Sequence, residues 1–231
     1  MSFRDRCTAY VRKNNLSNWN LSCPRTTCAA FVLITYELKK DASNTELRVA
    51  AIKVLSILKA YGHGEIFGVS KEGLVTVTNG LWGSNHGIIL LSFDNEEEAV
   101  KFVHSPTGFR EPLYPGSYEI ITFPLVYPPR MVSEYKLLQL DLYDMKVLDK
   151  FFDYLQELIP LITCHGGYLI CASQNVNHWF GTRKPNFVII IQWIKIEKYH
   201  AFNRIATPLH REKSYACATR ILFTMECIMP F

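Results

Sequence analysis

Residues Phe31–Leu38 read FVLITYEL, and residues Tyr135–Leu142 read YKLLQLDL. Both stretches are strand-like. Both set polar side chains at corresponding places, Thr35 with Gln139 and Glu37 with Asp141, at an offset of 104 residues. A helical pattern follows each. The first covers about Thr45–Ala60, with Leu47, Ala51, Val54, Leu55 and Leu58 on one stripe. The second covers about Met145–Leu161, with Leu148, Phe151, Phe152, Leu155 and Leu158 on one stripe, at the spacing of an amphipathic helix. Ser43 or Asn44 can cap the first helix and Asp144 the second. The helices then end in similar text, Tyr61-Gly62-His63-Gly64-Glu65 and Thr163-Cys164-His165-Gly166-Gly167. Glycine is the expected stop there because it takes a left-handed backbone cheaply.

The parallel continues outward. Two strands follow in each part, about 65–70 with 74–79 and 167–172 with 175–180. Next come the most apolar strands, Ile88–Phe93 and Phe187–Trp193, now at an offset of 100. Helices at about Glu96–His104 and Ile196–Ile205 lead into the Pro-containing loops Ser105-Pro106 and Thr207-Pro208. Strands at about Tyr118–Val126 and Arg220–Ile228 close the two parts. Each part reads β-α-β-β-α-β, with an extra short strand or turn in the middle hairpin. The expected organisation is a basic arm (1–28), a first ferredoxin-like repeat (29–127), a linker (128–134) stiffened by Pro128 and Pro129, and a second repeat (135–231).

A βαββαβ unit lays both helices on one face of an antiparallel sheet, so the other face needs a cover. Ile88–Leu91 and Phe187–Ile191 are apolar at every position, where a solvent-facing sheet would alternate. The second repeat supplies the cover for the first. The expected fold is α+β: two ferredoxin-like repeats packed sheet to sheet.

Composition agrees with a packed core. Hydrophobic residues make up 48% of 231 residues, and no apolar run is long enough to cross a membrane. The whole net charge of +4 resides in residues 1–28, where Arg4, Arg6, Arg12, Lys13 and Arg25 face Asp5 alone. The body is balanced and offers no field for nucleic acid. The arm also fits a mitochondrial presequence, although an ordinary leading arm on a cytoplasmic protein is the preferred reading. Seven cysteines, an odd number without CxxC, read as reduced thiols.

The segments His165-Gly166-Gly167-Tyr168-Leu169-Ile170, His178-Trp179-Phe180-Gly181 and Pro185-Asn186-Phe187-Val188-Ile189-Ile190-Ile191-Gln192-Trp193 resemble the dimeric α/β-barrel superfamily. The nearest match is its uncharacterised branch, in which Gly-Gly follows the first helix. The first repeat fits more loosely, through Gly64, Leu81-Trp82-Gly83 and Ser105-Pro106-Thr107-Gly108-Phe109-Arg110. The resemblance covers residues 29–229. It implies that one chain supplies both halves of a barrel that relatives build from two subunits. The product is then a monomer, or a higher homo-oligomer of the duplicated chain. The superfamily holds cofactor-independent monooxygenases, lactone isomerases, polyketide cyclases, haem enzymes and non-catalytic ligand sensors.

Candidate chemistry concentrates on matched positions. His63 and His165 stand where the first helix hands over to a strand, suited to general base work or to a simple helix-end role. Glu37 and Asp141 are carboxylates on first strands, and Gln139 is a mid-strand amide that needs partners. His178, Trp179 and Trp82 near the hairpin tips, with Tyr168, are candidate ligand contacts. No phosphate loop, nucleophile elbow or metal-ligand spacing occurs, so no metal and no organic cofactor is expected. Haem through His200 or His210, as in some relatives, is a minor alternative. The leading expectation is a cofactor-independent enzyme that moves protons on a planar or polyketide-like small molecule, by isomerisation, cyclisation or oxygenation. The alternative is a non-catalytic binding or interaction scaffold. A filled interior favours the scaffold, and an open pocket walled by His165 or Gln139 favours the enzyme.

Overall fold

Among the described residues, ten strands and four helices follow one another as two βαββαβ passes, each with an added strand. A computed structural model describes residues 29–38, 45–71, 76–79, 82, 85–105, 118–144, 149–182, 184–212 and 217–228. The basic arm and the loop after Ser105 lie outside the described residues. The first pass is β1 (Ala30–Glu37), α1 (Thr45–Leu58), β2 (Glu65–Ser70), β3 (Thr76–Asn79), β4 (His86–Phe93), α2 (Glu96–Val103) and β5 (Tyr118–Pro124). The second is β6 (Leu137–Tyr143), α3 (Asp149–Cys164), β7 (Gly167–Ser173), β8 (Asn177–Phe180), β9 (Phe187–Trp193), α4 (Ile196–Glu212) and β10 (Cys217–Glu226).

The strands form one sheet, ordered β7-β9-β6-β10-β2-β4-β1-β5-β8, with β3 also on β10. Each half keeps the ferredoxin-like order. The halves join where β10 pairs β2 through Met225 and Glu226. The far ends meet where the Val126 N–H donates to the Ile170 carbonyl at 2.9 Å. The sheet thus curls into a barrel. The added strands cross over: β3 pairs the last strand of the second half, and β8 pairs the last strand of the first.

Inner-facing residues of both halves make one shared core. Phe31, Leu33, Ile88, Leu90, Ile121 and Phe123 meet Leu138, Leu140, Val188, Ile190, Ile221 and Phe223 there. The outer faces form two further cores, one beneath α1 and α2 and one beneath α3 and α4. Asn95 caps α2 by accepting from the Glu98 N–H, ahead of an acidic first turn.

Strand pairing sets the true correspondence of the halves. Ala30 faces Phe93, as Leu137 faces Trp193. Each half also carries a bulge at the same place, at Phe67 against β4 and at Ile170 against β9. The first strands therefore correspond at an offset of 107, which corrects the expected 104. An odd shift exchanges the faces of a strand. Gln139 matches Val32, Asp141 matches Ile34, and Glu37 matches the exposed Asp144.

Two further expectations change. The helix α4 runs through Thr207 and Pro208 to Glu212 instead of ending near Ile205. Pro208 brings no N–H for that turn, and the Thr207 hydroxyl bonds back to the Asn203 carbonyl at 2.6 Å. Cys164 is disulfide-bonded, which corrects the reduced-thiol reading at that residue, while Cys171 and Cys227 carry free thiols.

Candidate functional site between the second sheet and its helices

Asp141 on β6 and Arg220 on β10 are cross-strand neighbours facing the helices of the second half. The Arg220 Nε and Nη2 atoms donate to the two Asp141 oxygens, each at 2.8 Å. The pair is sealed from water: Asp141 is 0% exposed and Arg220 8%. Gln139 donates its amide to Asp141 at 2.9 Å, and Tyr143 reaches the same oxygen at 3.4 Å. The Trp193 indole N–H donates to the Gln139 carbonyl oxygen at 3.2 Å. The expected need of the Gln139 amide for partners is met from within the chain.

The matching positions of the first half are apolar. Ile34 and Ile120 face each other as Asp141 and Arg220 do. Val32 stands for Gln139, Phe93 for Trp193 and, counting along the helix, Ala99 for Tyr199. Asp141, Arg220, Gln139, Trp193 and Tyr199 thus replace apolar residues of the first half, while Tyr143 matches Tyr36. Tyr199 belongs to this set electrostatically. Burial raises the pKa of its hydroxyl, the Arg220 charge opposes that rise and the Asp141 charge adds to it. Tyr199 therefore stays a proton donor at neutral pH. Both Asp141 oxygens are occupied and hold Arg220 in place. Arg220 brings a cation to the layer; Tyr143 reaches its partner Asp141, and Trp193 reaches Gln139.

The other sequence-predicted residues scatter. His165, buried at the end of α3, holds the Leu161 carbonyl through Nδ1 at 2.7 Å. Its ring meets Phe202 at 6.3 Å, and Phe202 in turn meets Trp193 at 5.1 Å. The layer thus contains His165, Gln139 and Asp141, with aromatic rings between the histidine and the ion pair. His63 is not the counterpart of His165. In the first half Tyr61 meets Phe102 at 5.9 Å, as His165 meets Phe202, and His63 is an added residue in the following turn. It has φ +50 and exposed geometry, and pairs with Asp94 at 2.6 Å. Glu37 is exposed and accepts from Asn85. Trp82 lies in the connection between β3 and β4, with its side chain buried inside the barrel core, 2% exposed.

His178 and Trp179 of β8 lie on the edge of the opposite half. The His178 Nε2 bonds the Pro185 carbonyl at 2.7 Å, and Trp179 donates to the Thr122 hydroxyl at 3.1 Å and packs on His104. Tyr168 sits under the Arg130 guanidinium, 4.5 Å away, beside the linker. Arg220, Trp193, Tyr199 and Tyr143 were not found from sequence. The one available signal was an arginine inside the apolar strand run Cys217–Met225.

The layer does not suit haem. Trp193, Phe202, Phe187 and Phe151 are fully buried in the space between sheet and helices, and His200 is exposed on α4. A haem needs a slot those rings fill. Among the described residues no cluster of three metal-ligating side chains occurs.

Two ferredoxin-like halves closed through their sheets define the dimeric α/β-barrel class. Solved structures share this architecture. An anthrone oxidase-like protein superposes with TM-score 0.54 at 11% identity, over 86% of this chain and 92% of its own. A candidate monooxygenase from Fusobacterium nucleatum subsp. nucleatum does so with TM-score 0.50 at 9% identity, over 86% and 93%. A chlorite dismutase from Candidatus Nitrospira defluvii gives TM-score 0.46 at 9% identity, over 86% and 91%. These likenesses bear on the fold alone. No protein-family profile and no curated protein sequence matches the chain.

Proposed function

We propose that the second half binds a planar molecule far smaller than haem in its helix-side layer, the packed rings there parting to admit it. Arg220, held by Asp141, would receive an anionic or enolisable oxygen of that molecule. One observation carries this reading: the Asp141–Arg220 pair stands where the first half has Ile34–Ile120. A buried ion pair is on average no more stabilising than an apolar pair of similar volume, so stability gives little reason to keep it. Recognition of an oxygen by a rigid, desolvated guanidinium does give one.

Turnover is a second reading, favoured by Tyr199. Isomerisation, cyclisation and oxygenation of a planar or polyketide-like substrate all pass through an enolate. Arg220 and a protonated Tyr199 are suited to stabilise that charge.

The test is a ligand screen by native mass spectrometry against the wild type and Asp141→Ile/Arg220→Ile, which copies the apolar pair of the first half. Planar phenolic and polyketide-like compounds should bind the wild type and not the folded double variant. Equal binding to both would sink the assignment. If a bound compound is converted, His63→Ala/His165→Ala with undiminished turnover would remove the histidines from the mechanism.

A further inference from the structure

The two seams of the barrel differ, and the difference points to a second binding site. The linker runs from one seam to the other: the Tyr127 N–H contacts the Ile170 carbonyl at the β5–β7 seam, and the Lys136 carbonyl accepts from the Met225 N–H at the β10–β2 seam. Aromatic side chains fill the first seam. Tyr127 and Tyr135 each lie 6.3 Å from the Tyr168 ring. Gln192 clamps the Arg130 main chain there, accepting at 2.7 Å and donating at 3.0 Å. By the correspondence of the halves, Tyr127 and Tyr168 are replaced at the other seam by Cys227 and Glu65. Losing two aromatic rings leaves a cleft of about 750 Å³ there. That lies within the usual range for small-ligand sites.

The lining of this cleft has a definite chemistry. Phe67, Met225, Val132 and Met131 supply apolar surface, and Met131 is 71% exposed. Lys71, Arg130 and Lys136 stand around it. Of its two carboxylates, Glu226 is neutralised by Arg48 at 2.6 Å, and Glu65 accepts from the Ser92 hydroxyl. Among the described residues neither Lys71 nor Lys136 makes an ion pair. Ammonium groups beside the exposed Met131 and the half-buried Phe67 complement a molecule with an apolar body and an anionic head.

We infer that the β10–β2 seam is a binding site for a carboxylate-headed apolar molecule, with Lys71 and Lys136 recognising the carboxylate. This site is separate from the Arg220 layer and does not depend on it. The probe is sodium decanoate, titrated calorimetrically into the full chain, with decyltrimethylammonium as the charge-reversed control. A charged hydrogen bond is worth about a factor of ten in affinity, so Lys71→Gln/Lys136→Gln should bind decanoate at least about tenfold more weakly. Both lysines are exposed, so the variant should fold. Decanoate should also slow alkylation of the exposed Cys227 thiol in the wild type, since that residue lines the cleft. Undetectable decanoate binding, equal binding by the double variant, equal binding of the cationic control, or unprotected Cys227 would each overturn the proposal.

Discussion

Asp141 and Arg220 show what a single cross-strand position can decide. In the first half the position holds Ile34 and Ile120; in the second it holds a bidentate ion pair. Removing one partner leaves an uncompensated buried charge, whereas removing both leaves a packing change. Asp141→Ile or Arg220→Ile alone should cost about 3–5 kcal/mol in urea unfolding. The double variant should recover most of that loss, because it restores the pairing that the first half already packs. A double variant as unstable as the worse single one would contradict this. His63 tests surface electrostatics. Its hydrogen bond to Asp94, and then the Asp94 charge, raise its pKa above the usual histidine value of about 6.5. A raised folded pKa makes a contribution to stability that is fully present below about pH 6.5 and lost as pH rises through the folded value. Asp94→Asn should return the His63 titration, followed by NMR, to the ordinary value. An unchanged midpoint would show that the pair does not form in solution.

Two neighbouring glycines after α3 serve different purposes. Gly166 has φ +78, and a Cβ there would meet only the Lys198 Cδ at 3.9 Å. Gly166→Ala should therefore cost only the left-handed backbone penalty, about 1–2 kcal/mol. At Gly167 a Cβ would stand 2.7 Å from both Ile162 and the Trp193 ring. Gly167→Ala should displace that ring, at an overpacking cost of about 1–3 kcal/mol. Trp193 fluorescence separates the two: Gly167→Ala should shift it and Gly166→Ala should not. The same position in the first half is Gly64, which lies against Phe93. Both halves thus use a glycine to seat the aromatic residue that ends β4 or β9. The strands themselves carry little register information. Residues 31–34 and 137–143 are buried on both faces, so no alternation marks which side faces the helices. Polar matches such as Glu37 with Asp141 then mislead by an odd number of residues, and the faces exchange.

At the scale of the molecule, neither half closes its own core. Phe31 and Phe123 need Leu138 and Phe223 across the barrel, and Val132 from the linker plugs the same cluster. The hairpin strands bind each half to the other. Asn177 donates to the buried Glu96 at 2.6 Å, and Trp179 packs on α2 and β5. Residues 29–127 and 135–231 expressed apart should each lack a cooperative thermal transition, and should regain one when refolded together. A sharp independent transition in either half would show that its inner face does not need the other.

The sequence by itself determined the number and order of elements, the duplication and the need for two sheets to cover each other. Those follow from apolar periodicity, glycine stops and strands without a polar face, all of which are local. Gln139 and Asp141 were already legible as polar residues on a core strand. Only the tertiary structure decided their partners, because Arg220 lies 79 residues away from Asp141 and becomes its neighbour only when β10 docks on β6. It also decided that His63 and His165 are not equivalents, and that one seam is filled while the other stays open. Those outcomes depend on register and on side-chain volume across the barrel, and neither is written in the spacing of residues along a single strand.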